Sequence, residues 1–209
     1  MIGLAAAAIL ALTAGGIKAA LLKWGEVVRA WHQHQPLPND ADVGLKYLGY
    51  WTDNGSYYYY RTEPGMNYHD TLLAVKRDAD QRGLPYRYFQ IDSWWYPKAS
   101  TNNLWNAFRG GTLVWEPIPE LFPRGLPAFQ AELGLPLIAH NRWYNRDSPY
   151  CQRYECVYGV GEKNAALPID PAFWDEIMDN AVSYGVQVYE QDWLYTNMGM
   201  IPWLREDLG

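Results

Sequence analysis

The sequence predicts an α/β fold: a (β/α) TIM-type barrel of which about the first four βα units are present, with an N-terminal helix in front. Three observations carry this. A helix, a glycine and a strand follow one another three times, at Gly83, Gly134 and Gly185, and strands separated by helices imply right-handed crossovers and a parallel sheet. The stretches after the strands are long, at residues 92–126 and 141–170, while the turns before them are minimal. In parallel α/β folds such loops lie on the working face. Finally, no G-x-G-x-x-G turn follows the first strand, which disfavours a doubly wound nucleotide-binding sheet.

The elements follow in order. Residues 2–17 form an alanine-rich run without charge until Lys18. The run is too short for a membrane span, and no Lys or Arg precedes it. A buried or partly buried helix is the reading, with a signal peptide as the alternative. Leu21, Trp24, Val27, Val28 and Trp31 continue at helical spacing to about His32, and the segment Gln35-Pro36-Leu37-Pro38 then links to the next unit. The division is therefore a helical segment and linker over residues 1–40 and a partial barrel over residues 41–209.

The first strand spans residues 45–51. Asp70 is the expected cap of a helix bearing Leu72, Leu73, Val75 and Ala79, stopped by Gly83. Residues 86–91 form the second strand. A helix opening at Pro127 and closing at Gly134 leads into the third strand, residues 135–140. The next helix is capped by Asp170 ahead of Pro171 and stopped by Gly185, and residues 186–191 form the fourth strand. A closed barrel has eight strands. Four here imply a fragment of a longer enzyme, or a missing half supplied by another copy. Open apolar edges would then favour self-association.

Composition narrows the function. The chain is 49% hydrophobic and 19% charged, against a disordered or coiled-coil chain, and its net charge of −6 disfavours a nucleic-acid surface. It holds 17 Tyr and 11 Trp, side chains with a flat apolar face and a polar edge, suited to amphipathic ligands such as sugars. Each strand ends in a polar residue beside an aromatic: Trp51 and Asp53, Asp92 with Trp94 and Trp95, Asn141 with Trp143, Asp192 with Trp193. In a barrel these ends converge, so carboxylates and amides would bond hydroxyls while indoles stack on the ring. The plain alternative gives the aromatics to core packing and the acids to caps. By chemistry alone, Asp92 and Asp192 form a candidate acid/base pair.

Three segments carry a family resemblance. Leu48-Gly49-Tyr50-Trp51-Thr52-Asp53 is similar to the opening strand of the α-galactosidase and raffinose-synthase-like glycoside hydrolases of clan D, families 27 and 36. Tyr88-Phe89-Gln90-Ile91-Asp92-Ser93-Trp94-Trp95 resembles their second strand, and Val188-Tyr189-Glu190-Gln191-Asp192-Trp193 their fourth. The resemblance implies a retaining hydrolase of terminal α-linked glycosides, with Asp192 as nucleophile and Asp92 as the first acid of a sugar-binding pair. Ser93 stands where the family has the second acid, replacing a charge-assisted acceptor with a weaker one. Trp94 and Trp95 would stack on the ring or wall the cleft. The family's general acid/base lies on a later strand, matched by nothing up to Gly209, so little activity is expected of this chain alone. No metal and no organic cofactor is implied. The expected partner is a carbohydrate substrate, with no nucleic acid and no membrane.

Other features stay open. Cys151 and Cys156 allow a loop disulfide, free thiols or part of a metal site. The tyrosine run at residues 57–60 suits a sugar subsite or a packed loop equally. Glu190, two residues before Asp192, shares its side of the strand. A non-catalytic carbohydrate-binding remnant is the rival function, and a small α/β protein for a phosphorylated metabolite is the rival class.

Overall fold

A computed structural model describes residues 14–38, 40–99 and 110–206. The alanine-rich run before residue 14, and Leu208 and Gly209, lie outside the described residues. The chain divides between Lys46 and Tyr47 into two compact units. The first holds α1 (Gly16–Trp31) and the short α2 (Val43–Lys46). No residue of α1 is fully buried and a few, such as Val28, are partly so. Spacing fixes a helix and its apolar stripe, but not what covers the stripe. Among the described residues, no helix is long and apolar enough to cross a membrane.

The second unit is mixed α/β. In chain order it contains β1 (Gly49–Tyr50), α3 (Tyr68–Gln81), β2 (Tyr88–Ile91), α4 (Gly125–Leu133) and β3 (Leu137–Asn141). Then come β4 (Tyr144–Asn145), α5 (Tyr150–Arg153), β5 (Cys156–Tyr158), β6 (Ala165–Pro168), α6 (Pro171–Ser183) and β7 (Val186–Gln191), followed by α7 (Leu194–Met200) and α8 (Pro202–Glu206). Strands β1, β2, β3 and β7 form one parallel sheet in that order. Gly83, Gly134 and Gly185 follow α3, α4 and α6 with φ of 69°, 67° and 72°, the left-handed conformation that stops a helix without a Cβ clash.

Several boundaries differ from expectation: β2 opens at Tyr88, α4 at Gly125 and β3 at Leu137. The first strand is two residues long, and Leu45 and Lys46 belong to a helical turn instead. The cap of α3 is Asn67, whose side chain accepts from the Asp70 N–H, so Asp70 sits in the first turn. Asn and Asp are near-equal caps, and only the backbone decides between neighbours. By contrast Asp170 caps α6 as expected, accepting from Ala172 N at 2.9 Å.

The larger difference lies in residues 141–170. That stretch is a second, antiparallel sheet ordered β4–β6–β5, with α5 and the Cys151–Cys156 disulfide at its side. Its strands of two to four residues are too short to declare a period. The core lies between the parallel sheet and α3, α4 and α6, with Leu72, Phe89, Phe129, Leu137, Phe173 and Ile177 all buried. Several bulky aromatics belong to it, including Tyr68, Trp94, Trp95, Trp115 and Tyr150. Composition therefore reported a core as much as a binding surface.

Candidate active site at the strand ends

Alternation along a strand sends successive side chains to opposite faces. On β2, Phe89 and Ile91 enter the core, leaving Gln90 and then Asp92 on the other face. Ala139 and Tyr189 likewise belong to the core side of β3 and β7, which leaves His140, Glu190 and Asp192 with Gln90 and Asp92. The hydrogen bonds follow this division. Gln90 Nε2 donates to Asp92 Oδ2 at 3.1 Å and to Glu190 Oε2 at 2.9 Å. Its side-chain carbonyl accepts from Thr52 N at 3.0 Å, and Thr52 Oγ1 donates to the Gln90 backbone carbonyl at 2.8 Å. Three strand ends are thus joined through one buried amide.

His140 joins the remaining acids. Its Nε2 lies 3.3 Å from Asp192 Oδ2 and 3.9 Å from Asp92 Oδ2, while Nδ1 lies 2.9 Å from the Tyr96 hydroxyl. A nitrogen facing two carboxylates carries the proton, so in the neutral ring Nδ1 accepts from Tyr96. Trp95 Nε1 and Trp115 Nε1 both donate to the His140 carbonyl, at 3.1 and 3.0 Å, which holds the residue from behind. Ser93 Oγ donates to Asp92 Oδ1 at 2.6 Å and is 2.9 Å from the Tyr60 hydroxyl. Lys98 is buried beneath, donating to the carbonyls of Ser93 and Tyr96. Burial, with the Arg142 charge nearby, pushes its ammonium down to about 6 against the pull of Asp92.

The expected site residues separate into three groups. Asp53, Asp92 and Asp192 lie together, Asp92 buried and the Asp192 side chain 53% exposed. Trp51 is 42% exposed, and Trp193 meets Trp143 edge-to-face at 4.9 Å, but Trp143 itself is buried with Ala165 and Ile201 and offers no open face, contrary to expectation. Trp94, Trp95 and Asn141 depart from expectation. Both indoles are fully buried, Trp94 stacked on Tyr68 at 3.5 Å, so neither offers a face to a ligand. Asn141 is buried too, donating to the Tyr189 hydroxyl and accepting from Thr112 Oγ1. The residues that sequence reasoning missed are Thr52, Gln90, Lys98 and His140. For His140 the signal was present: strand alternation from Asn141, which was chosen instead, points to the other face.

Asp53, Asp92 and Glu190 each bring a carboxylate oxygen within 4.8 Å of the others. Among the described residues, this is the group whose hard oxygen ligands would suit a cation such as Ca²⁺ or Mg²⁺. The acids are differently tuned. The His140 hydrogen bond holds the Asp192 carboxyl below its ordinary value, assisted by the Trp193 N–H and opposed by partial burial. Burial raises Asp53 and Glu190, with the Asp92 charge adding to both. Asp192 is therefore held in its ionised form at neutral pH.

Glu190 gives a pH prediction. Its folded value is raised, so its contribution to stability is present at acid pH and lost as pH rises through the folded value. Glu190→Gln keeps an acceptor for Gln90 and removes that loss. The melting temperature of the variant at pH 7 is expected to exceed wild type, with the two converging toward pH 4. Thermal unfolding across that range checks it, and a variant less stable at pH 7 contradicts it.

No protein-family model matches the chain, and no curated protein matches it either. Among solved structures the chain is similar to a xylosidase from Aspergillus niger, with a TM-score of 0.41 and 13% identity, over 66% of this chain and 19% of that one.

Proposed function

We propose that this chain is part of a glycoside hydrolase barrel of the α-galactosidase and raffinose-synthase-like type, acting on terminal α-linked glycosides with retention. Asp192 is the nucleophile and Asp92 binds hydroxyls of the terminal ring. Asp53 contributes a further acceptor, and Trp51 offers an exposed indole at the rim. His140 is a positioning residue, since its Nε2–H fixes the Asp192 carboxylate and keeps it charged. The observation that carries the reading is that His140 Nε2 faces both Asp92 and Asp192.

The barrel part rests on two further observations. The parallel strands run β1, β2, β3, β7 without a reversal of order, as in a (β/α) barrel and unlike a doubly wound sheet. Gln90 on β2 reaches Glu190 on β7 past the intervening β3. Strands two apart in a flat sheet are about 9.5 Å from each other, so a direct side-chain bond favours curvature toward a closed interior. Barrel interiors are layered by alternate strands in this way.

Asp92→Asn tests the binding half. Titration calorimetry with methyl α-D-galactopyranoside and methyl α-D-glucopyranoside is expected to show at least a tenfold loss of affinity, about 1.4 kcal/mol. Unchanged affinity in the variant would refute the assignment. One observation favours a non-catalytic reading: the Ser93 hydroxyl already occupies a lone pair of Asp92 where the resembled family has a second acid. Binding of either glycoside by the wild-type chain without covalent labelling of Asp192 would support that reading.

A further inference from the structure

The chain turns directly after β2, where Trp95 N donates to the Asp92 carbonyl at 3.1 Å. Lys98 follows that turn and is wholly buried, a rare setting for an amine. We infer that Lys98 is a positioning residue for both acids: its one nitrogen holds the two residues that orient Asp92 and Asp192. This rests on the reading of those acids as the glycoside site and adds to it the group that sets them.

The backbone of Lys98 is fixed first. It bridges Thr112, with Ala99 N donating to the Gly111 carbonyl at 2.9 Å and Leu113 N to the Pro97 carbonyl at 3.0 Å. From there Lys98 Nζ donates to the carbonyl of Ser93 and, at 3.2 Å, to that of Tyr96. Each of these residues leads to one acid. Ser93 Oγ donates to Asp92 Oδ1 at 2.6 Å. The Tyr96 hydroxyl donates to His140 Nδ1 at 2.9 Å, and His140 Nε2 lies 3.3 Å from Asp192 Oδ2. A held carbonyl fixes a side chain only where the rotamer is also fixed. Ser93 has a single torsion, set by Asp92 and by the Tyr60 hydroxyl at 2.9 Å. Tyr96 is buried, edge-to-face with Trp95 at 5.3 Å and parallel to the His140 ring at 6.0 Å.

The proton count agrees with that role. Two carbonyls need two N–H donors, which a neutral amine supplies. The groups around Nζ are the Tyr60 and Tyr96 rings, at 5.4 and 4.8 Å, and the charges of Arg142 and Asp92. Burial raises both phenols, so neither is ionised. Burial and the Arg142 charge bring Lys98 to about 6, so at pH 8 it holds its two carbonyls without charge. Mild acid adds a cation near Asp92, which weakens that carboxylate as an acceptor for ligand hydroxyls.

The test titrates the full chain with methyl α-D-galactopyranoside and methyl α-D-glucopyranoside between pH 5 and pH 8, after thermal unfolding has shown each variant to be folded. Lys98→Met keeps a long unbranched chain and removes both donors, whereas Lys98→Gln keeps two N–H donors that do not titrate. Wild-type affinity for at least one glycoside is expected to fall threefold or more from pH 8 to pH 5. At pH 8 Lys98→Met is expected to bind at least fivefold more weakly than wild type, with Lys98→Gln between the two. Both variants are expected to lose the step near pH 6, while any dependence due to Asp53, Glu190 or His140 persists. Adding Ser93→Ala to Lys98→Met is expected to cost little more, because the two act on Asp92 along one route. Nitrogen NMR of the His140 ring reads the other branch, and its signals are expected to shift in Lys98→Met at pH 8.

Wild-type affinity and pH profile in Lys98→Met overturn the inference, as do fully additive losses in the double variant. Unchanged His140 signals detach Lys98 from Asp192 and overturn that half. Where Lys98→Met does not fold, Lys98→Gln decides, and a wild-type step near pH 6 in it overturns the inference. Binding that depends on Asp92 and not on Lys98 removes the positioning role and leaves the proposed function standing. Absence of binding of both glycosides by the wild-type chain overturns both.

Discussion

In a protein that supplies the rest of the barrel, Asp192→Asn is expected to lower turnover of an activated aryl α-glycoside by about 10³-fold or more while glycoside affinity changes by less than tenfold. The asymmetry follows from chemistry. An amide keeps the size and the hydrogen-bonding carbonyl of the carboxylate, and so leaves the ground-state cavity almost unchanged. It cannot form the covalent glycosyl intermediate that retention requires. Its environment is arranged for the ionised form, since the His140 hydrogen bond lowers the Asp192 carboxyl and the Trp193 N–H adds a donor. Incubation with a 2-deoxy-2-fluoro α-glycosyl fluoride, followed by peptide mass spectrometry, provides a readout that needs only one turnover. Label on the peptide containing Asp192 is expected in wild type and none in the variant. Label elsewhere, or equal turnover by both proteins, would remove Asp192 from the role of nucleophile.

The second large effect concerns stability. Trp94→Ala is expected to destabilise the fold by about 3–5 kcal/mol, the range for deleting a large buried aromatic. At about 2–4 °C per kcal/mol for a chain of this size, the melting temperature falls by roughly 10 °C. The indole is wholly buried, stacked on Tyr68 with a 5° angle between planes and set 6.1 Å from Phe122. Its Nε1 is buried without a hydrogen-bond partner, so Trp94→Phe gives up less than its lost volume implies. Thermal unfolding of the two variants, read beside glycoside titration, separates packing from ligand stacking. A stable Trp94→Ala protein that has lost only its glycoside affinity would restore the sugar-stacking role.

Trp95 shows how packing and site are linked. It is just as buried, yet its Nε1 grips the carbonyl of His140 together with Trp115. The pair fixes the backbone of the residue whose imidazole faces both acids. An indole read from the sequence as a ligand-stacking group therefore acts one layer deeper, by orienting the group that orients the carboxylates.

The order of helices and strands was legible because it is written in local pattern. Apolar spacing, the Asp170 cap and the glycines after α3, α4 and α6 act through neighbours a few residues away, and they end elements wherever the chain goes next. The same locality hid the antiparallel sheet of residues 144–168, whose strands are shorter than any period they could announce. The acids at the strand tips were visible as residue types at strand ends. The sequence by itself determined the alternation and which tips carry carboxylates. Tertiary structure alone decided that Trp94 and Trp95 are core, that Asn141 turns inward, and that Gln90 meets Glu190 and His140 meets Asp192. Those contacts join residues 52 and 100 positions apart, where burial and electric field depend on how several strands pack side by side and not on any neighbour in the chain.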